Sequence, residues 1–254
     1  MSEIAGETYW IEADWPAPAN IHAGVTTRLG GCSRTPFDSF NLAAHVGDDP
    51  AAVERNRALL RRRLNLPSEP RWLQQVHGTA IRDTSEIGSP CADAAWADRP
   101  GEVCAVLTAD CVPILLCNRA GTEVAAVHAG WRGLSGGIIA KAAARFRAEP
   151  GMLLAWLGPH IGPDHYPVGN DVRNACLTAS AAASAGFTDA SAGRWFADLG
   201  YLVRSALAEC GVTACFTSPH CCFSRDELYY SYRRDRVTGR MASLIWMEGR
   251  SRED

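Results

Sequence analysis

Two histidines and one cysteine stand out in this sequence, because each sits where an apolar run gives way to polar or glycine-rich residues. His77 follows Gln74-Gln75-Val76, Cys111 follows Thr108-Ala109-Asp110, and His128 precedes Ala129-Gly130-Trp131-Arg132-Gly133. Buried strands that run out into such turns place side chains at the rim of a site. One thiolate and two imidazoles suit a catalytic zinc, since these are its preferred ligands and a trio leaves a fourth position open. The three residues are separated by 34 and 17 positions, and neither spacing is a close ligand pair. Residue types therefore leave two readings open, a metal trio or a core thiol beside two hydrogen-bonded imidazoles. A third use of the same groups is a Cys–His hydrolase, with Cys111 as nucleophile and His128 or His77 as base.

The turn after His128 has its own chemistry. A strand, a glycine-rich turn and a helix start can bind an anion through backbone N–H groups, and Arg132 could add a bidentate contact to phosphate. The same glycines also fit a tight turn needing small residues. The stretch is neither GxGxxG nor a Walker A motif, so no dinucleotide or ATP site is expected. The HxE and PCxxC signature of zinc nucleobase deaminases is missing. Seven histidines without one HxH pair cannot furnish a four-copper oxidase site, so copper is disfavoured. Asp110, Asp93 and the run Ser231-Tyr232-Arg233-Arg234-Asp235 are further polar candidates, the run reading by default as a solvated charged face.

The elements that must position these groups are legible in part. Ile21–Thr27 reads as a strand, and residues 28–50 as a long loop of the kind often tied to function. Asp49 is an N-cap with Pro50 at the first helical position, opening a helix to about Leu64. Trp72–Val76, Val103–Thr108, Val112–Cys117, Val124–His128 and Leu153–Leu157 read as strands. A helix is expected from the glycine-rich turn to about Ala148, its apolar face marked by Leu134, Ile138, Ala142 and Phe146. Helices are also expected over Val172–Ala185 and Leu199–Cys210, with Gly186 and Gly211 just past their ends. Thr213–Thr217 and Met241–Met247 read as late strands. Strands interleaved with helices argue for an α/β or α+β fold.

Composition narrows the class. With 254 residues, 47% hydrophobic and 21% charged, the chain is that of an ordinary globular protein, and a net charge of −3 carries no nucleic-acid footprint. No apolar run reaches membrane-spanning length. The opening MSEIAGETYW shows no basic stretch leading into an apolar one, so no secretory leader is expected. Ten cysteines in a chain of this length then read as free thiols of a reducing cytoplasm. Lys141 is the single lysine, and the arginine bias by itself identifies no partner.

Taken together, the stretches Gly24 to Ser33, Asn41-Leu42, His45 to Pro50, Gln75 to Gly78, Thr108 to Cys111, His128 to Gly133, Gly158-Pro159, and Ser231 to Asp235 with Thr238-Gly239-Arg240 resemble the YfiH family, collinearly from about residue 20 to 247. Its members have been labelled laccase-domain proteins or polyphenol oxidases, and later purine nucleoside phosphorylases. The resemblance implies a single domain over residues 1–254 with a layered α/β/β/α fold of mixed β-sheets. It implies one zinc per chain on His77, Cys111 and His128. It also implies phosphorolysis of purine nucleosides (adenosine, inosine, guanosine and methylthioadenosine) with phosphate as co-substrate, and adenosine deamination at the same site. Arg28 and Arg132, in turns matching family motifs, are the expected phosphate holders, and Asn41, His45 and Gln75 the expected pocket lining. Some family members are tied to peptidoglycan editing, which keeps a Cys–His amidohydrolase as the rival activity. The sequence indicates no protein partner. It departs from the family pattern at Pro167, where Glu is usual before Val-Gly, and at Cys222 and Arg225, where Thr and Asp are usual.

Overall fold

The computed structural model describes residues 8–86 and 90–249, so most of the opening segment read for a leader lies outside the described residues. In chain order the elements are β1 (Trp10–Glu12), β2 (Ile21–Thr26), α1 (Pro50–Arg63), β3 (Ile81–Asp83), β4 (Ala94–Ala97), β5 (Val103–Thr108), β6 (Val112–Asn118) and β7 (Val124–Ala129). Then come α2 (Trp131–Ser135), α3 (Ile138–Arg145), β8 (Leu153–Leu157), β9 (Pro167–Gly169), α4 (Asn170–Ala179), β10 (Phe187–Asp189) and β11 (Arg194–Ala197). Last are α5 (Leu199–Glu209), β12 (Ala214–Thr217), α6 (Tyr232–Asp235) and β13 (Met241–Met247).

Strand order β1-β2-β13-β5 forms an antiparallel sheet, and β12-β8-β6-β7-β4-β3 a mixed one, parallel only at β12–β8 and β3–β4. A small antiparallel sheet has the order β10-β11-β9. The two-residue period of β5 explains the layering. Val103, Ala105 and Leu107 pack outward with Phe40, Leu42 and Leu60, under α1. Cys104 and Val106 point inward to join Ile114 and Val127 of the six-stranded sheet. On that sheet's far side lie α3 and α5, through Ile138, Ala142, Val203 and Leu207. The expected α/β/β/α layering is the observed one.

The long loop before α1 is anchored rather than laddered. Phe40 and Leu42 are fully buried, each worth roughly 1.5–3 kcal/mol relative to exposure. Buried Asn56 of α1 donates to Ser33 Oγ and to the carbonyls of Ser39 and Asn41, and accepts from Cys32 N–H. The start of α1 is as expected, with Asp49 accepting from Ala51 N–H and Pro50 in the first turn.

Several elements differ from expectation. Trp72–Val76 is no strand: Gln74 makes one isolated bridge to Cys91, and the N–H groups of Val76, His77 and Gly78 go to the Asp93 carboxylate instead of a ladder. The helix expected to reach Ala148 is two helices, α2 and α3, broken at Gly136-Gly137, where Gly137 has φ 83°, and it ends at Arg145. The helix expected over Val172–Ala185 stops at Ala179 and continues as a 3₁₀ turn, Ala181–Gly186, after Ser180 caps Ala182. Gly186 serves close packing, since a Cβ there would lie 2.8 Å from Leu202 Cδ2, whereas Gly211 has the left-handed φ of 84° expected past a helix end. Strand β4 escapes sequence reading because three of its four residues are alanine, a poor strand former placed here by burial on both faces.

Candidate metal centre

Three different backbone devices bring His77, Cys111 and His128 together. Cys111 occupies the turn between β5 and β6, and His128 lies in β7 opposite Pro113 of β6. His77 sits in the irregular turn held by Asp93, with a left-handed φ of 59° that side-chain-bearing residues seldom adopt. One ligand atom from each of the three lies within 4.8 Å of the others. Cys111 Sγ is 3.9 Å from His77 Nε2, and the two imidazole centroids are 4.8 Å apart. The trio could hold a metal ion.

Asp93 organises two of the three. It is fully buried, and its Oδ1 accepts from His128 Nδ1 at 2.8 Å and from His77 N–H at 2.9 Å. Its Oδ2 accepts from the N–H groups of Gly78 and Val76. With Nδ1 bound to the carboxylate, Nε2 of His128 is the nitrogen left for a metal, the arrangement that commonly orients metal-binding imidazoles. Burial raises the Asp93 carboxyl, but the His128 hydrogen bond and the amide donors outweigh it and hold it below its ordinary value. Burial also raises the Cys111 thiol, yet the neighbouring His128 and His77 bring it down to about 6. His128, which burial lowers, is raised to about 9 by the Cys111 thiolate and Asp93. The pair is thus poised as thiolate and imidazolium, the form from which a thiolate ligand is already present.

Gly130 explains part of the glycine-rich turn. Its φ of −81° is open to any residue, but a Cβ there would lie 2.8 Å from His77 Cδ2 and 3.0 Å from Cys111 Sγ. Gly130 is thus needed for close approach to the trio, whereas Gly137 supplies the positive φ that breaks the helix. The α2 that follows is only five residues long, which fits the tight-turn reading of these glycines better than the anion-binding one.

The trio lines a cleft of about 530 Å³. His45, Gln75 and Arg132 are among the residues that line it. Gln75 does so with its amide committed, since Nε2 donates to Leu107 O and Oε1 accepts from Leu107 N–H, imitating a neighbouring strand on the open edge of β5. The Arg132 guanidinium stacks on the Trp131 ring, 4.3 Å from its centroid.

Arg28 and Asn41 are not among the cleft-lining residues. Arg28 donates to the carbonyls of Asp38 and Asp226 and to the Asp38 carboxylate, and lies over the Tyr230 ring, so it braces the loop. Asn41 is buried and pins the same loop through Asp48 and Ala43, while its Oδ1 accepts from Arg240 N–H. It acts on the cleft through Arg240.

Sequence reading set aside another part of the cleft lining. Arg233, Arg236 and Arg240 line the cleft with Tyr166 and Tyr232, so the run after Ser231, though no residue of α6 is buried, contributes to the cleft. Arg240 is largely buried, its guanidinium donating to the carbonyls of Thr238 and Gly239. Burial, then the charges of Arg240 and Arg57, lower the pKa of His45, a sign of positive potential. Against these four cleft arginines the lining offers a single carboxylate, Asp110, already bonded to Ser231 and Arg233. Cys222 donates its thiol to the same Asp110, and the carbonyl of Pro167 accepts from Arg233.

Two stacked sheets that carry a Cys/His trio to the floor of an arginine-walled cleft define a layered α/β/β/α protein with a candidate metal site. Residues 22–248 match the family model described as multi-copper polyphenol oxidoreductase laccase. The chain is 49% identical over 239 residues to a protein of Escherichia coli named purine nucleoside phosphorylase YfiH, covering 93% of this chain and 98% of that one. It is 48% identical to a purine nucleoside phosphorylase of Pseudomonas aeruginosa, covering 94% and 98%. Among solved structures, the Neisseria meningitidis protein NMB0706 superposes with TM-score 0.91 at 44% identity, over 95% of this chain and all of that one. YlmD of Geobacillus stearothermophilus superposes with TM-score 0.86 at 31% identity, over 98% of both. The chain belongs to the YfiH family.

Proposed function

We propose that this protein is a zinc-dependent purine nucleoside phosphorylase with adenosine deaminase activity at the same site. The observation that carries the reading is the juxtaposition of the His77–Cys111–His128 trio with four arginines across one cleft. It agrees with the names of relatives that share nearly half their residues with this chain. One thiolate and two imidazoles fit zinc by donor type. When bound, zinc supplies a Lewis acid with one position open to substrate.

The chain's own residues account for the phosphate half of the reaction. Arg233, Arg236, Arg240 and Arg132 provide a cationic wall for a phosphate dianion. In phosphorolysis a phosphate oxygen forms a bond to the anomeric carbon while the bond to the purine nitrogen breaks, through a state with positive charge on the sugar. Guanidinium groups holding phosphate in line shorten that approach and set its direction. Tyr166, Tyr232 and Trp131 offer aromatic surface for the base. The volume of the cleft suits a nucleoside with phosphate. Ten free cysteines agree with a cytoplasmic setting.

The test is product identification with inosine and adenosine. Free base and ribose-1-phosphate formed only in the presence of phosphate support phosphorolysis, and inosine formed from adenosine supports deamination. Turnover of neither substrate by zinc-loaded protein refutes the proposal.

A second reading has one observation in its favour. Cys111, His128 and Asp93 are also ordered as nucleophile, base and orienting carboxylate of a Cys–His amidohydrolase. Stoichiometric zinc that shields Cys111 from alkylation decides against it, because one thiolate cannot serve both roles. Copper-dependent phenol oxidation finds less support, since only one Cys and two His form a metal-ligating group among the described residues.

A further inference from the structure

We infer that Asp110 is a positioning residue that fixes the arginine wall relative to the metal trio, an inference that rests on the phosphorylase reading above. Asp110 directly precedes Cys111 and has φ 110°, a region costly for any residue with a side chain. Its backbone carbonyl accepts from Ile161 N–H at 3.0 Å. The carboxylate reaches away from the trio to a segment more than a hundred residues later. Oδ2 accepts from Arg233 N–H at 2.6 Å, and Oδ1 from Ser231 Oγ at 2.6 Å and Cys222 Sγ at 3.2 Å.

Those contacts clamp the start of α6. Ser231 is its N-cap, accepting from Arg234 N–H, and α6 carries Tyr232 and Arg233 into the cleft, with Arg236 following at its end. Arg233 is then aimed by its contact with Pro167 O and by the Tyr166 ring. The other side of the segment is tied by Arg234, which donates to the carbonyls of Cys222, Phe223 and Tyr229. One side chain on the Cys111 turn thus sets where the guanidinium groups stand. A strained residue kept at this point is held by its surroundings, and its carboxylate is what the α6 end of those surroundings grips. Asp110 acts on phosphate through Arg233 and Arg236, without needing to touch substrate.

The experiment compares wild type, Asp110→Asn and Ser231→Ala, each assayed for zinc content, phosphate affinity by calorimetry with inorganic phosphate, and KM for phosphate and for inosine. Asp110→Asn is expected to keep its zinc and its KM for inosine, and to lose roughly tenfold or more in phosphate affinity, in line with the cost of small misplacements. Ser231→Ala, which leaves the carboxylate in place and removes one of its donors, is expected to lose less in the same direction. Unchanged phosphate affinity in both variants overturns the inference, as does loss of zinc in Asp110→Asn matched by equal losses for both substrates. If Asp110→Asn fails to fold, Ser231→Ala decides alone, and unchanged phosphate affinity there overturns it. Wild-type protein that binds no phosphate refutes the phosphorylase reading itself, a result distinct from any variant effect.

Discussion

Asp93 Oδ1 lies 2.8 Å from His128 Nδ1, and the same carboxylate holds the backbone of His77. One buried acid therefore sets the tautomer of one imidazole and the turn that bears the other. Asp93→Asn keeps the shape but cannot accept from all four donors. Metal affinity is expected to fall about 10–100-fold, the usual cost of losing such an orienting partner. Chelator competition on purified protein measures this directly, and unchanged affinity would show that Asp93 serves folding alone.

Gly130 gives a steric version of the same test. A methyl group there meets His77 and Cys111 at 2.8 and 3.0 Å, both closer than van der Waals contact. Gly130→Ala is expected to bind zinc substoichiometrically after dialysis while retaining a cooperative thermal transition. Full zinc occupancy in that variant would mean the trio has slack that these distances do not allow.

The arginines divide by whether they line the cleft, as Arg233 and Arg240 do and Arg28 does not. Arg233→Ala or Arg240→Ala should raise KM for phosphate by roughly 10-fold or more, since each removes a charge-assisted contact worth about 1.5–3 kcal/mol. Arg28→Ala should leave that KM unchanged and instead lower thermal stability, because its partners are Asp38 and Asp226. Equal kinetic effects at Arg28 and Arg233 would count against the division.

Proton release on metal uptake follows from the Cys111–His128 pair. Without metal, and against the opposing effect of burial, the Cys111 thiol is brought down to about 6 and the His128 imidazole raised to about 9, each mainly by the other, so between those values the pair holds one proton, on the imidazole. The lowered thiol contributes stability that is lost as pH falls through about 6, and the raised imidazole contributes stability lost as pH rises through about 9. A metal takes the thiolate and the neutral imidazole, so binding expels that proton. Affinity should climb about tenfold per pH unit across this window and flatten above it. Calorimetry in buffers of different ionisation enthalpy counts the proton, and a count of zero throughout would contradict the assignment of the pair.

How much of this was legible in the sequence depended on where the positioning groups lie. Cys111 and His128 could be seen because each adjoins a continuous apolar run, the sequence mark of a strand buried on both faces. His77 could be seen as a residue type but not as a place, since its turn is built by a carboxylate sixteen residues away, and a side chain taking three backbone amides leaves no periodic pattern. Arg233 was hidden in a charge run, which sequence reads as solvated, and the contacts that hold that run at the cleft, from Asp110, Arg234 and Pro167, come from residues distant in sequence or leave no pattern in it. Arg28 misled for the opposite reason, a cation in a glycine-rich turn whose partners are carbonyls of the fold rather than a ligand. Mixed strand and helix content was readable from segments such as β5 and β7, and the layering only through the family resemblance, whereas the alanine strand β4 and the short β9–β11 sheet were not readable, because tertiary burial rather than local propensity forms them.

On the proposed function, one metal trio and the arginines that line the same cleft perform a single reaction. The most direct test follows phosphate-dependent cleavage of inosine while zinc is titrated into chelator-stripped protein, in wild type and in Cys111→Ala. The account predicts that free base and ribose-1-phosphate appear in wild type in proportion to zinc bound, reaching a plateau at one zinc per chain, and that Cys111→Ala shows neither at any zinc level. Phosphorolysis that is indifferent to zinc, or that survives in Cys111→Ala, would contradict it.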